Sequence, residues 1–125
     1  DDCYNANPEA VRGMLDLLAL EPAGRRLAVI GEMLELGEMS GALHREVGRY
    51  AAGRGVDLLV GIHGAAREML KGAVDAGMPP DSVFFFDDPS EAGEFLRERT
   101  RPGDAVLFKG SRGTRVELAM NTYMR

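Results

Sequence analysis

The chain has 125 residues, 45% of them apolar, and carries a formal net charge of −5. This length suits one domain, and the composition excludes a disordered chain. No apolar run reaches the ~20 residues of a membrane span, so we expect no membrane insertion. The acidic start is unlike a signal peptide, and the single Cys3 allows no internal disulfide, which favours a reducing, cytoplasmic location. The acidic balance argues against nucleic acid as the main partner.

A polar octet, Asp1–Pro8, opens the chain and leads into a predicted helix. Asn7 suits the N-cap of that helix and Pro8 its first position. Apolar residues then recur at helical spacing, at Val11, Met14, Leu15 and Leu18. Free N–H groups at such a helix start favour an anionic ligand. The octet resembles the exit from a strand, yet almost nothing precedes it, so we expect that a strand has been cut off or shortened here.

Strand and helix signals alternate along the rest of the chain. Apolar runs predict strands at Leu27–Ile30, Leu58–Val60, Val83–Phe86 and Ala105–Phe108. Gly31 and Gly61 are predicted to end the first two strands. Periodicity and capping residues predict helices at 40–54, 65–76, 91–99 and 114–122. In the first of these, Ser40 is the predicted cap and the predicted core face is Leu43, Val47, Tyr50 and Ala51.

This alternation predicts an α/β fold, namely a Rossmann-like, open, mostly parallel sheet with helices on both faces. Ligands of such sheets bind beyond the carboxyl ends of the strands. Lys109-Gly110-Ser111-Arg112-Gly113 follows one strand and combines cations, a hydroxyl and glycines, which suit phosphate or carboxylate. It lacks the spacing of a Walker P-loop. Taken alone, it fits a basic loop with a capping serine equally well.

The loop Gly31–Glu38 follows another strand and carries three glutamates. They could hold Mg²⁺ or a substrate amine, and a lid or docking loop is an equally good interpretation. His44 lies on the following helix, where a surface or satisfied, partly buried histidine is favoured over a ligand contact. His63 also follows a strand, but no Cys or His lies at metal spacing, so we predict no metal site. Asp87-Asp88 predicts a helix-capping turn.

Four motifs occur in one order: Asp1–Pro8, Gly31–Glu38, His44–Gly48 and Lys109–Arg112. Together they resemble the C-terminal domain of the Mur ligase family over essentially the whole chain, in particular the branch that adds D-alanyl-D-alanine. Glu32 departs from the family pattern, which has aspartate there. The resemblance implies that residues 1–125 form the C-terminal domain of a longer, three-domain enzyme.

The resemblance also implies an activity, ATP-dependent amide ligation in peptidoglycan precursor synthesis. ATP would phosphorylate the carboxylate of UDP-N-acetylmuramoyl-tripeptide, and the amine of D-alanyl-D-alanine would attack the resulting acyl phosphate. ATP and Mg²⁺ would be bound mainly by a central domain and the UDP-sugar by an N-terminal domain. Both domains lie outside these residues, so we expect the chain alone to be inactive.

Carried over by position, the resemblance implies three groups of site residues. Those that would contact ADP are Asp2, Tyr4, Asn5 and Asn7. Those that would face the active cleft as catalytic residues are Lys109, Ser111 and Arg112. Glu35 and His44 are weaker candidates for positioning the substrate loop. Two alternatives stay open. The first is another amino-acid ligase of the same superfamily, although the Asp-Asn-Pro-Arg signature of the diaminopimelate-adding members is absent. The second is a non-catalytic, Rossmann-like nucleotide-binding module.

Overall fold

The computed structural model describes residues 6–110 and 116–124. Helices and strands alternate along them as the sequence predicts. The helices are α1 (Pro8–Leu20), α2 (Ser40–Gly53), α3 (Ala66–Asp75), α4 (Pro89–Arg99) and α5 (Val116–Tyr123). The strands are β1 (Arg25–Gly31), β2 (Leu58–Ile62), β3 (Val83–Phe86) and β4 (Asp104–Lys109). Short 3-10 turns at Gly37–Met39 and Pro80–Ser82 precede α2 and β3.

The four strands form one parallel sheet in the order β3-β2-β1-β4. Strand β1 lies inside the sheet, with Val29 opposite Val60 of β2 on one side and Phe108 of β4 on the other. The described residues therefore confirm an α/β fold with a parallel sheet. The predicted strand exit within residues 1–5 lies outside the described residues.

Both faces of the sheet are covered, because side chains alternate between two apolar cores along β1. Ala28 and Ile30 belong to the core shared with α1, α2 and α3. Leu27 and Val29 belong to the core shared with α4 and α5. Near-continuous burial of β1 follows from this arrangement, and it explains why the strand is apolar without a polar alternation.

Helix α1 begins as predicted. Asn7 is its N-cap, and the Oδ1 atom of Asn7 accepts a hydrogen bond from the backbone N–H of Ala10 at 2.8 Å. Val11, Leu15 and Leu18 are buried and Met14 packs half-buried beside them. At the other end, the Leu18 carbonyl accepts a hydrogen bond from Nε of Arg26 in β1 at 3.1 Å. This contact places the end of α1 beside the start of β1.

Two predictions about α2 are wrong. Ser40 is the first residue of the helix and does not cap it. Met39 occupies the N-cap position, and its side chain makes no capping hydrogen bond. The residue fully buried in the first turns is His44, and Leu43 is only half-buried. The apolar periodicity missed this because a histidine with both ring nitrogens bonded can occupy a core position as well as a leucine.

The prediction that Gly61 ends the second strand is also wrong, since β2 continues to Ile62. A Cβ at Gly61 would lie 3.1 Å from the carbonyl oxygen and 3.2 Å from the Cβ of Ala66 at the start of α3. The glycine is needed because α3 passes close over the strand. Gly31 is likewise the last residue of β1 and part of it.

Helices α2 and α3 pack against each other through two glycines. A side chain at Gly48 would overlap the backbone of Met69, and one at Gly72 would overlap the backbone of Arg45. The two backbones therefore lie in direct contact. Because α2 and α3 follow the loops after β1 and β2, this contact also fixes the relative positions of those two loops.

We predict that Gly48→Ala lowers the free energy of unfolding by about 3 kcal/mol, because the Met69 backbone must move to admit the methyl group. The matched control is Gly13→Ala in α1, where a Cβ meets nothing within 4 Å. That change should raise stability by roughly 0.5–1 kcal/mol through helix propensity. Urea unfolding measures both, and equal midpoints for the two variants would contradict the close packing of α2 and α3.

An ion pair joins the starts of β1 and β4. Nη2 of Arg25 lies 2.8 Å from Oδ2 of Asp104, and Nε of Arg25 donates to Oδ1 at 3.1 Å. The Asp104 side chain is only 5% exposed. The hydrogen bond from Arg25 and one from the backbone N–H of Arg101 lower the pKa of Asp104 against the opposing effect of burial. This ion pair joins β1 to β4 at the edge of the sheet opposite the carboxyl ends of the strands.

The lowered pKa of Asp104 gives a pH dependence with a definite sign. The stabilisation is fully present above the ordinary pKa of 3.8 and is lost as the pH falls through the lower folded-state value. We therefore predict that Asp104→Asn is less stable than wild type at neutral pH and that the difference shrinks below pH 3.8. Urea midpoints across the acid range measure this; a difference that stays constant with pH would refute it.

Candidate functional site

The carboxyl ends of the four strands meet at one edge of the sheet, because all strands are parallel. The residues that directly follow β3, β2 and β1 are Asp87, His63 and Glu32, and Lys109 is the last residue of β4. Since α1 ends beside the start of β1, its N-terminus lies toward this same edge. The predicted site residues that the structure describes therefore gather at one edge, which we call the strand-end edge.

A histidine lies between two carboxylates along part of this edge. Nδ1 of His63 lies 3.6 Å from Oδ1 of Asp87, and Nε2 lies 4.0 Å from Oε1 of Glu32. The His63 side chain is 56% exposed and its backbone adopts a positive φ of 73°. Its backbone N–H donates to the Phe86 carbonyl at 2.9 Å, which holds the turn after β2 against the end of β3.

Glu32 connects two loops through backbone contacts. Its N–H donates to the Ile62 carbonyl at 2.9 Å, and its Oε2 accepts from the N–H of Ala65 at 2.8 Å. The carboxylate lies so close over Gly64 that a side chain there would overlap it, and Gly64 has a φ of +49°. Glu32 thus carries a negative charge to the N-terminus of α3, where helix dipoles favour it.

His44 holds the loop after β1 from inside the protein. The imidazole is fully buried; its Nε2 accepts from the N–H of Met33 at 3.0 Å, and its Nδ1 lies 2.7 Å from the Ser40 carbonyl. These partners require a neutral ring with the proton on Nδ1, which donates to Ser40. Of the two favoured interpretations of His44, the satisfied histidine is confirmed and the surface histidine is wrong; the ring is fully buried and positions the backbone of Met33.

Most of the loop between Met33 and Ser40 faces outward. Leu34 and Met39 are 40% and 58% exposed, although both are large and apolar. Glu35 is exposed and adopts a positive φ of 61°, which is uncommon for a residue with a side chain. The loop is therefore fixed at its base while its tip offers apolar and acidic side chains to the surroundings.

The basic loop after β4 is described only at its start. Lys109 is the last residue of β4, lies opposite Ile30 of β1 in the strand register and is 2% exposed. Gly110 is also buried. The predicted site residues Ser111 and Arg112 lie outside the described residues, as do Asp2, Tyr4 and Asn5 of the opening octet.

Asn7 is the one predicted ADP-contacting residue that lies within the described ranges. Its carboxamide oxygen is occupied by the N–H of Ala10 in the cap of α1. Within residues 6–110 and 116–124, no partner contacts the NH₂ group of the same side chain, which is a hydrogen-bond donor. Asn7 fits a ligand that presents hydrogen-bond acceptors, such as phosphate or ribose oxygens.

The described part of this edge shows no group of side chains arranged to hold a metal ion. Within residues 6–110 and 116–124, no three His, Cys, Asp or Glu side chains are arranged to hold a metal ion. Glu32 is committed to the backbone of Ala65, and His63 lies between the two carboxylates. The same described ranges contain no helix that is long and apolar enough to span a membrane.

The sequence patterns did not predict that His63 and Asp87 lie side by side, and they did not predict the contacts of Glu32 with the backbone. The available signal was positional: Glu32, His63 and Asp87 each directly follow a strand of a parallel sheet. Residues at such positions meet at one edge regardless of their distance in the chain. Asp88 does form the predicted helix cap, since its Oδ1 accepts from the N–H of Ser90 at 2.9 Å.

The fold and the strand-end edge define an open α/β domain of the class whose ligands bind beyond the carboxyl ends of the strands. The chain belongs to the family described as "Mur ligase, glutamate ligase domain", whose model matches residues 2–112. The family resemblance noted in the sequence is thereby confirmed.

Curated relatives carry a more specific name. The chain is 39% identical to the UDP-N-acetylmuramoyl-tripeptide–D-alanyl-D-alanine ligase of Mycobacterium leprae, covering 89% of this chain and 24% of that protein. It is 36% identical to the ligase of the same name from Synechocystis, with the same coverage of 89% and 24%. The chain therefore spans about a quarter of the length of the curated relatives it matches.

Solved structures show the same fold. A MurF from Acinetobacter baumannii matches with a TM-score of 0.85 and 32% identity, covering 99% of this chain and 27% of the other. MurF of Thermotoga maritima, in complex with ADP, matches with a TM-score of 0.79 and 32% identity, covering 98% and 27%. The described fold thus agrees with a quarter of each of these larger enzymes.

We predict that His44→Ala lowers the free energy of unfolding by about 3 kcal/mol, because it opens a cavity and leaves the buried N–H of Met33 without its acceptor. Urea unfolding measures the loss, and hydrogen exchange at the Met33 amide should become faster. The control is His63→Ala, whose exposed ion pairs should contribute less than about 1 kcal/mol. Unchanged protection of the Met33 amide in His44→Ala would contradict the proposed role of the ring.

Proposed function

We propose that residues 1–125 are the C-terminal domain of a three-domain, cytoplasmic, ATP-dependent ligase that joins D-alanyl-D-alanine to UDP-N-acetylmuramoyl-tripeptide. The observation that carries this proposal is the family match over residues 2–112 together with relatives of that name at 36–39% identity. The strand-end edge supports it, because Lys109 and the start of α1 lie where such sheets bind phosphate-bearing ligands.

The reaction has two chemical steps. The tripeptide carboxylate attacks the γ-phosphorus of ATP, which gives an acyl phosphate and releases ADP. The neutral amine of D-alanyl-D-alanine then attacks the acyl carbon, and the tetrahedral intermediate loses inorganic phosphate and a proton to leave a new amide bond. Both steps build negative charge on oxygen, so they need cations and N–H donors placed in advance.

The basic loop after β4 supplies such groups. Lys109, Ser111 and Arg112 are our candidates to face the cleft, where they would bind the dipeptide carboxylate or stabilise the reacting phosphate. Lys109 is held on the last position of a sheet strand, which gives its backbone a fixed place beside the end of β1. A cation on such a rigid element is already oriented when the substrate arrives.

The opening octet supplies the contacts to ADP. We assign Asp2, Tyr4, Asn5 and Asn7 to ribose, adenine and phosphate-edge contacts. The NH₂ group that Asn7 keeps beside its cap hydrogen bond supports this assignment. ADP in the related Thermotoga structure supports ATP as the cosubstrate. When bound, Mg²⁺ would neutralise phosphate charge, and the family resemblance places its ligands mainly in the central domain.

The loop after β1 positions the substrate side of the cleft. His44 fixes its base through Met33, and Glu35 lies on its exposed tip. We assign both residues to loop positioning, with no bond-making role. The exposed Leu34 and Met39 suit contact with the central domain when the domains close over the substrates. Closure would exclude water and protect the acyl phosphate from hydrolysis.

A direct test uses the complete protein that contains this chain, assayed with ATP, UDP-N-acetylmuramoyl-tripeptide and a panel of amines. Phosphate release coupled to pentapeptide formation with D-alanyl-D-alanine is the expected result. A preference for a single amino acid would overturn the assignment in favour of another ligase of the superfamily. The 125-residue chain alone should release no phosphate under the same conditions, and tight ADP binding by it would favour a nucleotide-binding module.

We predict that Arg112→Ala in the complete enzyme lowers kcat/KM by about a hundredfold or more, because a cation beside the developing negative charge is lost. The matched control is Arg101→Ala, which lies before β4 at the opposite edge of the sheet and is exposed. It should leave kcat/KM within about twofold of wild type. Similar losses in the two variants would refute the role of Arg112.

A further inference from the structure

A groove lies between α1 and α2 on the helical layer that covers one face of the sheet. It has a volume of about 610 Å³, within the usual range for small-molecule sites. The residues that line it are Arg12, Glu46, Arg49, Tyr50, Gly53 and Arg54. Four of them belong to α2, which runs back from the strand-end edge toward the start of β2, and Arg54 directly follows this helix.

The charge of the groove is opposite to that of the whole chain. Three guanidinium groups and one carboxylate line it, whereas the chain carries a net charge of −5. Arg49 has only a long contact to Asp75, at 3.9 Å between two largely exposed side chains. Within the described residues, no hydrogen bond or ion pair is recorded for Arg12. At least two guanidinium groups are therefore available to an incoming anion.

The third guanidinium belongs to a network around Asp16. Oδ1 of Asp16 accepts a hydrogen bond from the Tyr50 hydroxyl at 2.5 Å and forms an ion pair with Arg54, whose Nε lies 3.1 Å away. Because Asp16 contacts Nε, the two terminal nitrogens of Arg54 keep donor capacity for a second partner. The hydrogen bond to Asp16 raises the pKa of the Tyr50 hydroxyl.

We infer that this groove binds a small anion bearing one or two phosphate groups, which the guanidinium groups of Arg12, Arg49 and Arg54 would hold. Arginine presents planar donor pairs that match phosphate oxygens, and a site shared by several arginines favours a multiply charged anion over chloride. Glu46 also lines the groove and reduces its net positive charge, so the attraction of an anion depends on the three arginines together. This site goes beyond the proposed ligase activity and does not depend on it.

The test is an NMR titration of the 125-residue chain with pyrophosphate, inorganic phosphate and glycerol phosphate, at constant ionic strength with chloride as the balancing anion. Saturable shifts should centre on Arg12 and on residues 49–54. If pyrophosphate binds most strongly, the ligand is a free polyphosphate. If glycerol phosphate binds most strongly, the ligand is an organic phosphate ester. Shifts that centre on Asn7 and Lys109 instead, or no saturable shifts at millimolar concentration, would overturn the groove as the site.

The variant arm uses Arg12→Gln with Arg49→Gln, since neither residue has a short ion pair to lose. Affinity for the preferred anion should fall about tenfold or more, with an unchanged unfolding midpoint. The matched control is Arg97→Gln on α4, another exposed arginine with a long ion pair, at 3.6 Å to Glu94. Equal affinity of the double variant and this control would refute the inference.

Discussion

The parallel alignment of the four strands is the constraint on which the rest of the structure depends. Each crossover helix must return the chain to the same starting edge, so every strand delivers its last residue to the opposite edge. Glu32, His63, Asp87 and Lys109 come from distant parts of the sequence and meet there for this reason alone. Apolar cores on both faces keep the sheet in place, with β1 buried along most of its length.

Rigid supports behind this edge set the positions of its loops. The imidazole of His44 binds the backbone of Met33, and the carboxylate of Glu32 binds the backbone of Ala65. The contact between Gly48 and the α3 backbone then ties the two helices that follow these loops. Each of these contacts involves backbone atoms. The side chains on the surface of the loops can therefore differ in chemistry while the loop backbones keep their positions. That separation suits a domain whose partners lie on other parts of a larger enzyme.

Much of the fold could be predicted from the sequence, because apolar runs and helical periodicity report burial directly. The strand Val83–Phe86 is correct for that reason, and the caps Asn7 and Asp88 are correct because short polar side chains bond the nearby backbone N–H groups. The errors at Ser40, Leu43 and Gly61 share one cause: they depend on contacts between segments that local patterns do not encode. A buried histidine is polar in sequence, and a glycine required by a passing helix looks like a strand terminator. The assignments at Asp2, Tyr4, Asn5, Ser111 and Arg112 rest on the family resemblance, since these residues lie outside the described structure.

The cap of α1 has a thermodynamic consequence for any nucleotide bound at that helix start. The carboxamide oxygen of Asn7 has a second lone pair, so a ligand donor could share it with Ala10, whereas loss of the existing cap bond would cost about 1 kcal/mol of helix stability. A ligand acceptor that meets the NH₂ group leaves the bond to Ala10 in place. Either contact needs the Asn7 side chain in its capping position, so fraying of the first turn of α1 and occupancy of such a site would be linked equilibria. Solvents that stabilise helices would then also tighten a ligand bound there.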